Sequence, residues 1–233
     1  MTILCIIGPS GSGKTTLAEA LVPTGIDTIR SYTTRPMRPG EKQGREHIFI
    51  DEHEARRLLS TQRPLAYTLF GDYYRYFALW SQIDPISSPF NDDRGGIISY
   101  VIDEAGYLDL ENAIFDLRDS MYTDYTIWVP PITILPIRIE RSEDDIAATI
   151  DPDRRSRDAG REAYNNDITY RIVIRNDAPT AADLTAWAQH QLSPALRIWL
   201  SSNIESQHPV SIPTTLTTSM RTAHIIAHLN GAI

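Results

Sequence analysis

Thr2-Ile-Leu-Cys-Ile-Ile7 runs directly into Gly8-Pro-Ser-Gly-Ser-Gly13-Lys14-Thr15-Thr16-Leu17. A short apolar, β-prone run, a glycine-rich turn and a helical stretch through Leu21 form a strand–turn–helix, the opening unit of a parallel α/β fold. The turn satisfies G-x-x-x-x-G-K-[ST] in the required context, after a strand and before a helix. Its glycines allow the backbone to bend until N–H groups converge on phosphate oxygens, and the helix N-terminus adds partial positive charge. Gly8, Ser10, Gly11, Ser12, Gly13, Lys14, Thr15 and Thr16 are therefore candidate ligands of a nucleotide's phosphates. Lys14 is placed to reach the β- and γ-phosphates, and Thr15 to help hold Mg²⁺.

The 233 residues suit one α/β domain with insertions or an appendage, and 42% apolar residues suffice for a sizeable core. The net charge of −8 disfavours general binding to nucleic acid or anionic membrane, so any phosphate must meet a local basic site. The one cysteine, Cys5, lies in an apolar run. It excludes an intrachain disulfide and fits a reducing compartment. No apolar stretch approaches the roughly 20 residues of a membrane span, and no signal-peptide pattern is present. The expectation is a soluble cytoplasmic protein with small-molecule partners; a homodimer is left open.

Further along, Asp27–Arg30 and His47–Ile50 read as strands, and Asp51 with Glu54 as the cap of a helix ending near Leu59. Residues 65–79 read as strand and turn, and residues 82–96 as loop. Ile97–Ile102 is a continuous apolar strand ending at Asp103-Glu104, after which Tyr107, Leu110, Ile114, Leu117 and Met121 recur at helical spacing. Asp103 is a candidate Mg²⁺ ligand, a role favoured over that of a plain helix N-cap. Thr126–Val129 reads as a strand stopped by Pro130-Pro131, followed by a charged segment over 138–162. Tyr170–Ile174 is the last clear strand, and Thr180 with Asp183 caps a helix through Trp187 and Leu192. Residues 193–233 form an appendage of unassigned role, with one short helix from Ser193-Pro194 and another over Leu216–Leu229. Alternating strands and helices predict a mostly parallel sheet with ligands at the carboxyl ends of its strands.

Between Arg30 and His47 five basic residues, Arg30, Arg35, Arg38, Lys42 and Arg45, face two acids, Glu41 and Glu46, a local reversal of the chain's charge. Arg35 and Arg38, fixed between prolines, can grip a phosphate through planar guanidinium forks; a solvated basic loop has the same composition.

Ser31-Tyr-Thr-Thr-Arg35-Pro-Met-Arg38-Pro-Gly-Glu41 resembles the acceptor-phosphate motif of the guanylate kinase family. Gly71-Asp72-Tyr73-Tyr74 resembles that family's Gly-Asn-Tyr-Tyr turn, and Tyr170–Asp177 its last strand and Asn-Asp turn. The resemblance covers roughly residues 1–190. It implies a P-loop core over 1–192, an acceptor-binding insertion over about 31–80 and a mobile helical lid over about 138–165. It implies ATP-dependent phosphoryl transfer to a nucleoside monophosphate with Mg²⁺. Arg35, Arg38 and Tyr74 would bind the acceptor phosphate, Ser31 would lie at the acceptor base, and Asn176 near the adenine of ATP. His47 stands where the family has a phosphate-binding tyrosine, and Tyr67 joins the substrate-binding candidates. In the lid, Asp151-Pro152 starts a helix that sets Arg154, Arg157 and Arg161 on one face. Asp153, Asp158 and Glu162 offer them local partners, and Arg141 is a further candidate. Lys14, Arg38, Arg154 and Arg157 are the residues assigned to catalysis.

The chain departs from the family where guanine is read. Leu65 and Val101 occupy the positions of two acidic side chains, and Arg75-Tyr76 replaces a glycine and a small hydroxyl residue. Guanine's N1–H and 2-amino group would be buried unpaired there, at roughly 1–3 kcal/mol each, unless Asp72 or Thr68 supplies an acceptor. GMP is therefore expected to be a mediocre substrate beside another, unusual nucleotide. Two rivals are a sugar-phosphate kinase of the ribose bisphosphate kinase type and a non-catalytic module binding phosphorylated protein. The intact Gly8–Thr15 loop argues against the second.

Overall fold

The computed structural model describes residues 1–70, 73–83, 96–123, 132–147, 167–203 and 216–219. The chain divides into two compact units, one of Met1–Cys5 with Thr28–Ile134, the other of Ile6–Asp27 with Leu135–Ile233. Strand β1, Thr2–Ile7, passes from the first into the second and is buried at every position. Its unbroken apolar run is the pattern of a strand covered on both faces.

In the first unit, β1 is followed in sheet order by β7 (Ile97–Val101) and β2 (Asp27–Ile29). A second sheet has the order β4-β3-β6-β5, from β3 (Tyr32–Thr33), β4 (Ile48–Phe49), β5 (Pro64–Phe70) and β6 (Tyr74–Leu79). β5 and β6 form an antiparallel hairpin with a bulge between Pro64 and Ala66; β3 pairs antiparallel with β6 and parallel with β4. Helix α2 (Glu52–Thr61) is capped by Asp51, whose side chain accepts from the Glu54 N–H. It lays Ala55 and Leu58 against Phe77 and Leu79 of β6, with Tyr32, Ile50, Leu59 and Tyr67 packed around them. Tyr32 stacks on Phe77 with ring centroids 5.3 Å apart. Helix α3 (Glu104–Thr123) buries Tyr107, Leu110 and Ile114, one face at helical spacing. β5 is fastened to α3 where Asp109 Oδ2 accepts from the Tyr67 N–H at 2.7 Å. Gly106 has no Cβ because one would stand 2.9 Å from Thr68 Oγ1.

In the second unit, β8 (Thr133–Glu140), β9 (Ile172–Arg175) and β10 (Leu216–Ser219) lie side by side and parallel. The end of β1 lies on the other side of β8. Helix α1 (Lys14–Leu21) packs on α5 (Ala181–Trp187), which Thr180 and Asp183 start with a reciprocal capping box. A π-helical turn, Ala188–Leu192, continues into α6 (Ser193–Asn203). Arg197 of α6 donates to the carbonyl of Thr24 at 2.5 Å. The short α4 (Glu143–Ala147) follows β8.

The α/β class with a mostly parallel main sheet is as expected. Two local readings are corrected. Strand β8 extends to Glu140, so residues 138–140 are strand and not the beginning of a lid. Pro136 interrupts that run, and prolines inside strands argue against a strand reading. Here its carbonyl accepts from the Arg171 N–H at 3.0 Å. Leu216–Ser219 is a strand beside β9 and not helix, in keeping with its two β-branched threonines. Residues 141–147 of the expected lid hold the short α4; the strand expected at Thr126–Val129 and residues 148–165 of the lid lie outside the described residues.

Candidate active site

The phosphate loop belongs to the second unit. Gly8 has φ 151°, and a Cβ there would stand 2.2 Å from the Ile139 carbonyl oxygen. Only glycine lets β1 turn so close to β8. Gly13, at φ 102°, precedes α1 without any side-chain cap, and the first turn of α1 holds no acidic residue. A helix start of this kind is open to an anion. Lys14 Nζ folds back to donate to the carbonyls of Gly8 at 2.7 Å and Pro9 at 2.8 Å. Ser12 is fully buried, and its Oγ has no hydrogen-bond partner among the described residues. Buried hydroxyls without partners are costly, and a phosphate oxygen would relieve this one.

Asn176 lies at the end of β9, 5% exposed. Its Nδ2 donates to the Ser12 carbonyl at 2.7 Å and its Oδ1 accepts from the Ala178 N–H at 3.3 Å. Both ends of the amide thus bond protein, one to the phosphate loop and one to the turn that follows β9. Arg141, just after β8, has a buried Nε without a partner among the described residues.

The loop that carries Arg35 and Arg38 belongs to the first unit. Arg35 is 7% exposed, and four of its five N–H groups are committed. Nε donates to Tyr76 Oη at 2.9 Å, Nη1 to the Pro36 carbonyl at 2.7 Å and to Glu41 Oε2 at 2.9 Å, and Nη2 to Glu41 Oε1 at 2.9 Å. The guanidinium also lies 5.4 Å from the centre of the Phe49 ring. The fork expected to grip a phosphate thus grips Glu41, leaving one N–H for a ligand. Burial alone would raise the Glu41 carboxyl, but the bonds from Arg35 and from the Arg38 N–H hold it below the ordinary carboxylate range. Arg38 is more open, its side chain 36% exposed with Nη1 3.9 Å from Glu41 Oε1.

His47 packs edge-on to Tyr76 and Phe49, and its Nδ1 is buried without a partner among the described residues. Burial, then the positive charge of Arg35, lowers its pKa to about 4. Ser31 Oγ donates to Tyr100 Oη at 3.2 Å, both residues being buried; burial pushes the Tyr100 hydroxyl well up. Arg35 and His47 both contact Tyr76, and the carbonyl of Ser31, in the same unit, accepts from the Ile48 N–H at 2.9 Å. Tyr67 is turned to other work: its hydroxyl accepts from Arg75 Nη1 at 2.7 Å, its ring packs on the α2 core, and Arg75 is paired with Glu52. Tyr74 stands 37% exposed near the hairpin tip. Leu65 is fully buried and offers no polar atom, and Val101 ends β7 half-buried. Asp103 takes up the capping role, its Oδ1 accepting from the Gly106 N–H at 2.8 Å.

Glu41 and Tyr76 are the residues whose part in this site the sequence reading did not assign. Glu41 could have been found as the buffered acid of a basic loop; nothing in the sequence points Tyr76 at Arg35. Arg154, Arg157, Arg161, Gly71 and Asp72 lie outside the described residues.

A family model described as guanylate kinase matches residues 1–87. The guanylate kinase of Chromohalobacter salexigens is 33% identical over 178 residues, 76% of this chain and 76% of that protein. That of Nitrosospira multiformis is 29% identical over 180 residues, 76% of this chain and 78% of that protein. The crystal structure of guanylate kinase from Anaplasma phagocytophilum superposes with a TM-score of 0.55 over 90% of this chain and 96% of that one, at 24% identity, which speaks for the fold. With a loop that only glycine can form at Gly8, an uncapped α1 behind it and a buried Arg35 anchored by Glu41, the chain belongs to the guanylate kinase family.

Proposed function

We propose that this protein transfers the terminal phosphoryl group of ATP to a nucleoside monophosphate of the GMP type. The observation that carries the reading is the phosphate loop, where Gly8 approaches the Ile139 carbonyl too closely for any side chain and the buried Ser12 hydroxyl lacks a partner. In-line transfer needs an acceptor oxygen aimed at the terminal phosphorus. A monophosphate oxygen is already anionic near neutral pH, so no general base is required. Catalysis is positioning and charge neutralisation. Lys14 leaves the Gly8 and Pro9 carbonyls for the stronger phosphate oxygens. Arg38, the last N–H of Arg35 and His47 receive the acceptor phosphate, with Tyr74 as a further donor. Arg154 and Arg157 are the lid arginines assigned to the transferring charge.

Mg²⁺ bound with ATP would neutralise and polarise the phosphates. It is a hard ion that keeps water and phosphate as most of its ligands and needs one or two protein oxygens. The Thr15 hydroxyl at the start of α1 fits that demand, and Asp103 is the candidate carboxylate. Among the described residues no cluster of three His, Cys, Asp or Glu could hold a metal ion. A cytoplasmic setting agrees with ATP use and with the single, buried Cys5. No described helix is long and apolar enough to cross a membrane.

The test is ADP release with a panel of nucleoside monophosphates and sugar phosphates. A nucleotide acceptor should raise ADP release well above the acceptor-free rate, and Lys14→Ala should lower that rate by about a thousandfold. Stimulation by sugar phosphates alone, or full turnover by Lys14→Ala, would overturn the reading.

A further inference from the structure

We infer that Asn176 is a positioning residue that sets the peptide between Ser12 and Gly13 in its phosphate-binding orientation, and that it does not read the donor's base. Asn176 is fastened first by its own backbone, whose N–H donates to the Glu140 carbonyl at 2.7 Å. Its side chain then crosses to the loop, Nδ2 to the Ser12 carbonyl at 2.7 Å, between residues 164 apart in the chain. The amide is buried at 5% exposure, and its oxygen is turned to the Ala178 N–H. One N–H and one lone pair of the amide remain, but at 5% exposure little of either can reach a ligand.

The reason for such a brace lies in the loop's own flexibility. Gly11 at φ 78° and Gly13 at φ 102° flank Ser12, and both occupy a region that glycine enters freely. A flip of the Ser12–Gly13 peptide turns ψ of Ser12 and φ of Gly13, and glycine tolerates the second freely. The peptide unit is planar and trans, so the Ser12 carbonyl and the Gly13 N–H point in opposite directions. Holding the carbonyl on Asn176 therefore fixes the direction of the Gly13 N–H, one donor of the cradle. The contact also explains why position 13 is glycine, since a Cβ there would stand 2.7 Å from Asn176 Nδ2 and 2.9 Å from Leu184 Cδ2. Glycine gives the turn and the close approach; asparagine removes the freedom that glycine brings.

This inference rests on the loop binding the triphosphate of ATP, as proposed above. Calorimetry of the wild-type protein, Asn176→Ala and Asn176→Asp with ATP·Mg²⁺ and with inorganic tripolyphosphate·Mg²⁺ separates the roles. Loss of a buried hydrogen bond should weaken both ligands by the same factor, about tenfold. The aspartate variant should suffer more, because its carboxylate oxygen faces the Ser12 carbonyl. The acceptor KM at saturating ATP should not move. A loss confined to ATP would make Asn176 a base reader, and unchanged binding of both ligands would leave it no role in the loop; either result overturns the inference. Asn176→Asp preserves volume and carries the test if Asn176→Ala fails to fold. Wild-type binding of tripolyphosphate without turnover of any acceptor would refute the kinase reading and leave this one standing.

Discussion

Replacing Arg35 by lysine keeps the positive charge of the acceptor loop and removes its planar fork, so it separates geometry from charge. Arg35 spreads four N–H groups over Glu41, Tyr76 and the Pro36 carbonyl from a side chain 7% exposed. One ammonium has three donors on a single nitrogen and cannot span both carboxylate oxygens, the phenol and the carbonyl. It keeps one charge-assisted bond to Glu41. It gives up the second and at least one of the bonds to the Tyr76 hydroxyl and the Pro36 carbonyl, each worth about 1.5–3 kcal/mol because the donor is charged. Recovered water contacts reduce the sum, so Arg35→Lys should destabilise the fold by about 2 kcal/mol and lower Tm by roughly 5 °C. The Arg38 backbone N–H also depends on the Glu41 carboxylate, which it meets at 2.7 Å. With Glu41 less firmly held, the acceptor KM should rise about tenfold, while the KM for ATP stays within about twofold. Arg35→Ala, which removes the charge as well, should raise the acceptor KM by a further tenfold or so. Thermal melts and initial-rate kinetics with both substrates varied provide the measurements. Wild-type melting and acceptor KM in Arg35→Lys would mean that only the charge of Arg35 counts, and the anchoring role of Glu41 would fall with it.

Three further outcomes follow from the geometry. Burial lowers the pKa of His47 from 6.5 to about 4 in the folded protein, so the unfolded chain binds more protons in between; stability should be full above pH 6.5 and fall by about 3 kcal/mol as pH drops to 4, a slope that melting curves of His47→Phe should lack. Gly8→Ala places a methyl 2.2 Å from the Ile139 carbonyl oxygen; backbone must move, and calorimetry should show ATP binding weakened at least a hundredfold by this strain, whereas a tight ATP complex would disprove the closeness of the loop to β8. With Leu65 and Val101 in place of hydrogen-bond acceptors, discrimination between GMP and IMP or AMP should shrink from the order of 10⁴ that polar recognition achieves to about tenfold or less; kcat/KM ratios measure it, and a strong GMP preference would show that another residue supplies the acceptors.

What could be read from the chain follows the range of the interactions involved. The Gly8–Thr15 loop, the Asp51 cap of α2 and the Thr180–Asp183 cap of α5 are closed within a few residues, and each stands in the structure where the sequence puts it. β8 was not legible, because its apolar run carries Pro136 and its ladder partner β9 lies more than thirty residues on. β10 was not legible either: Leu216-Thr-Thr-Ser219 is short, and only its register beside β9 makes it a strand. In the site the division is sharper. The Arg35 and Arg38 motif announced a phosphate, yet it did not reveal that Glu41, inside the same motif, occupies the Arg35 fork, or that Tyr76, 41 residues away, completes it. A guanidinium with four of its five N–H groups held by protein is fixed in place and keeps one N–H for a ligand. In the proposed reaction the flexible partner of the acceptor phosphate is Arg38, whose side chain is 36% exposed. Arg38 is consequently the arginine whose substitution should act on the acceptor with little effect on folding, and Arg35 the one that should act on both.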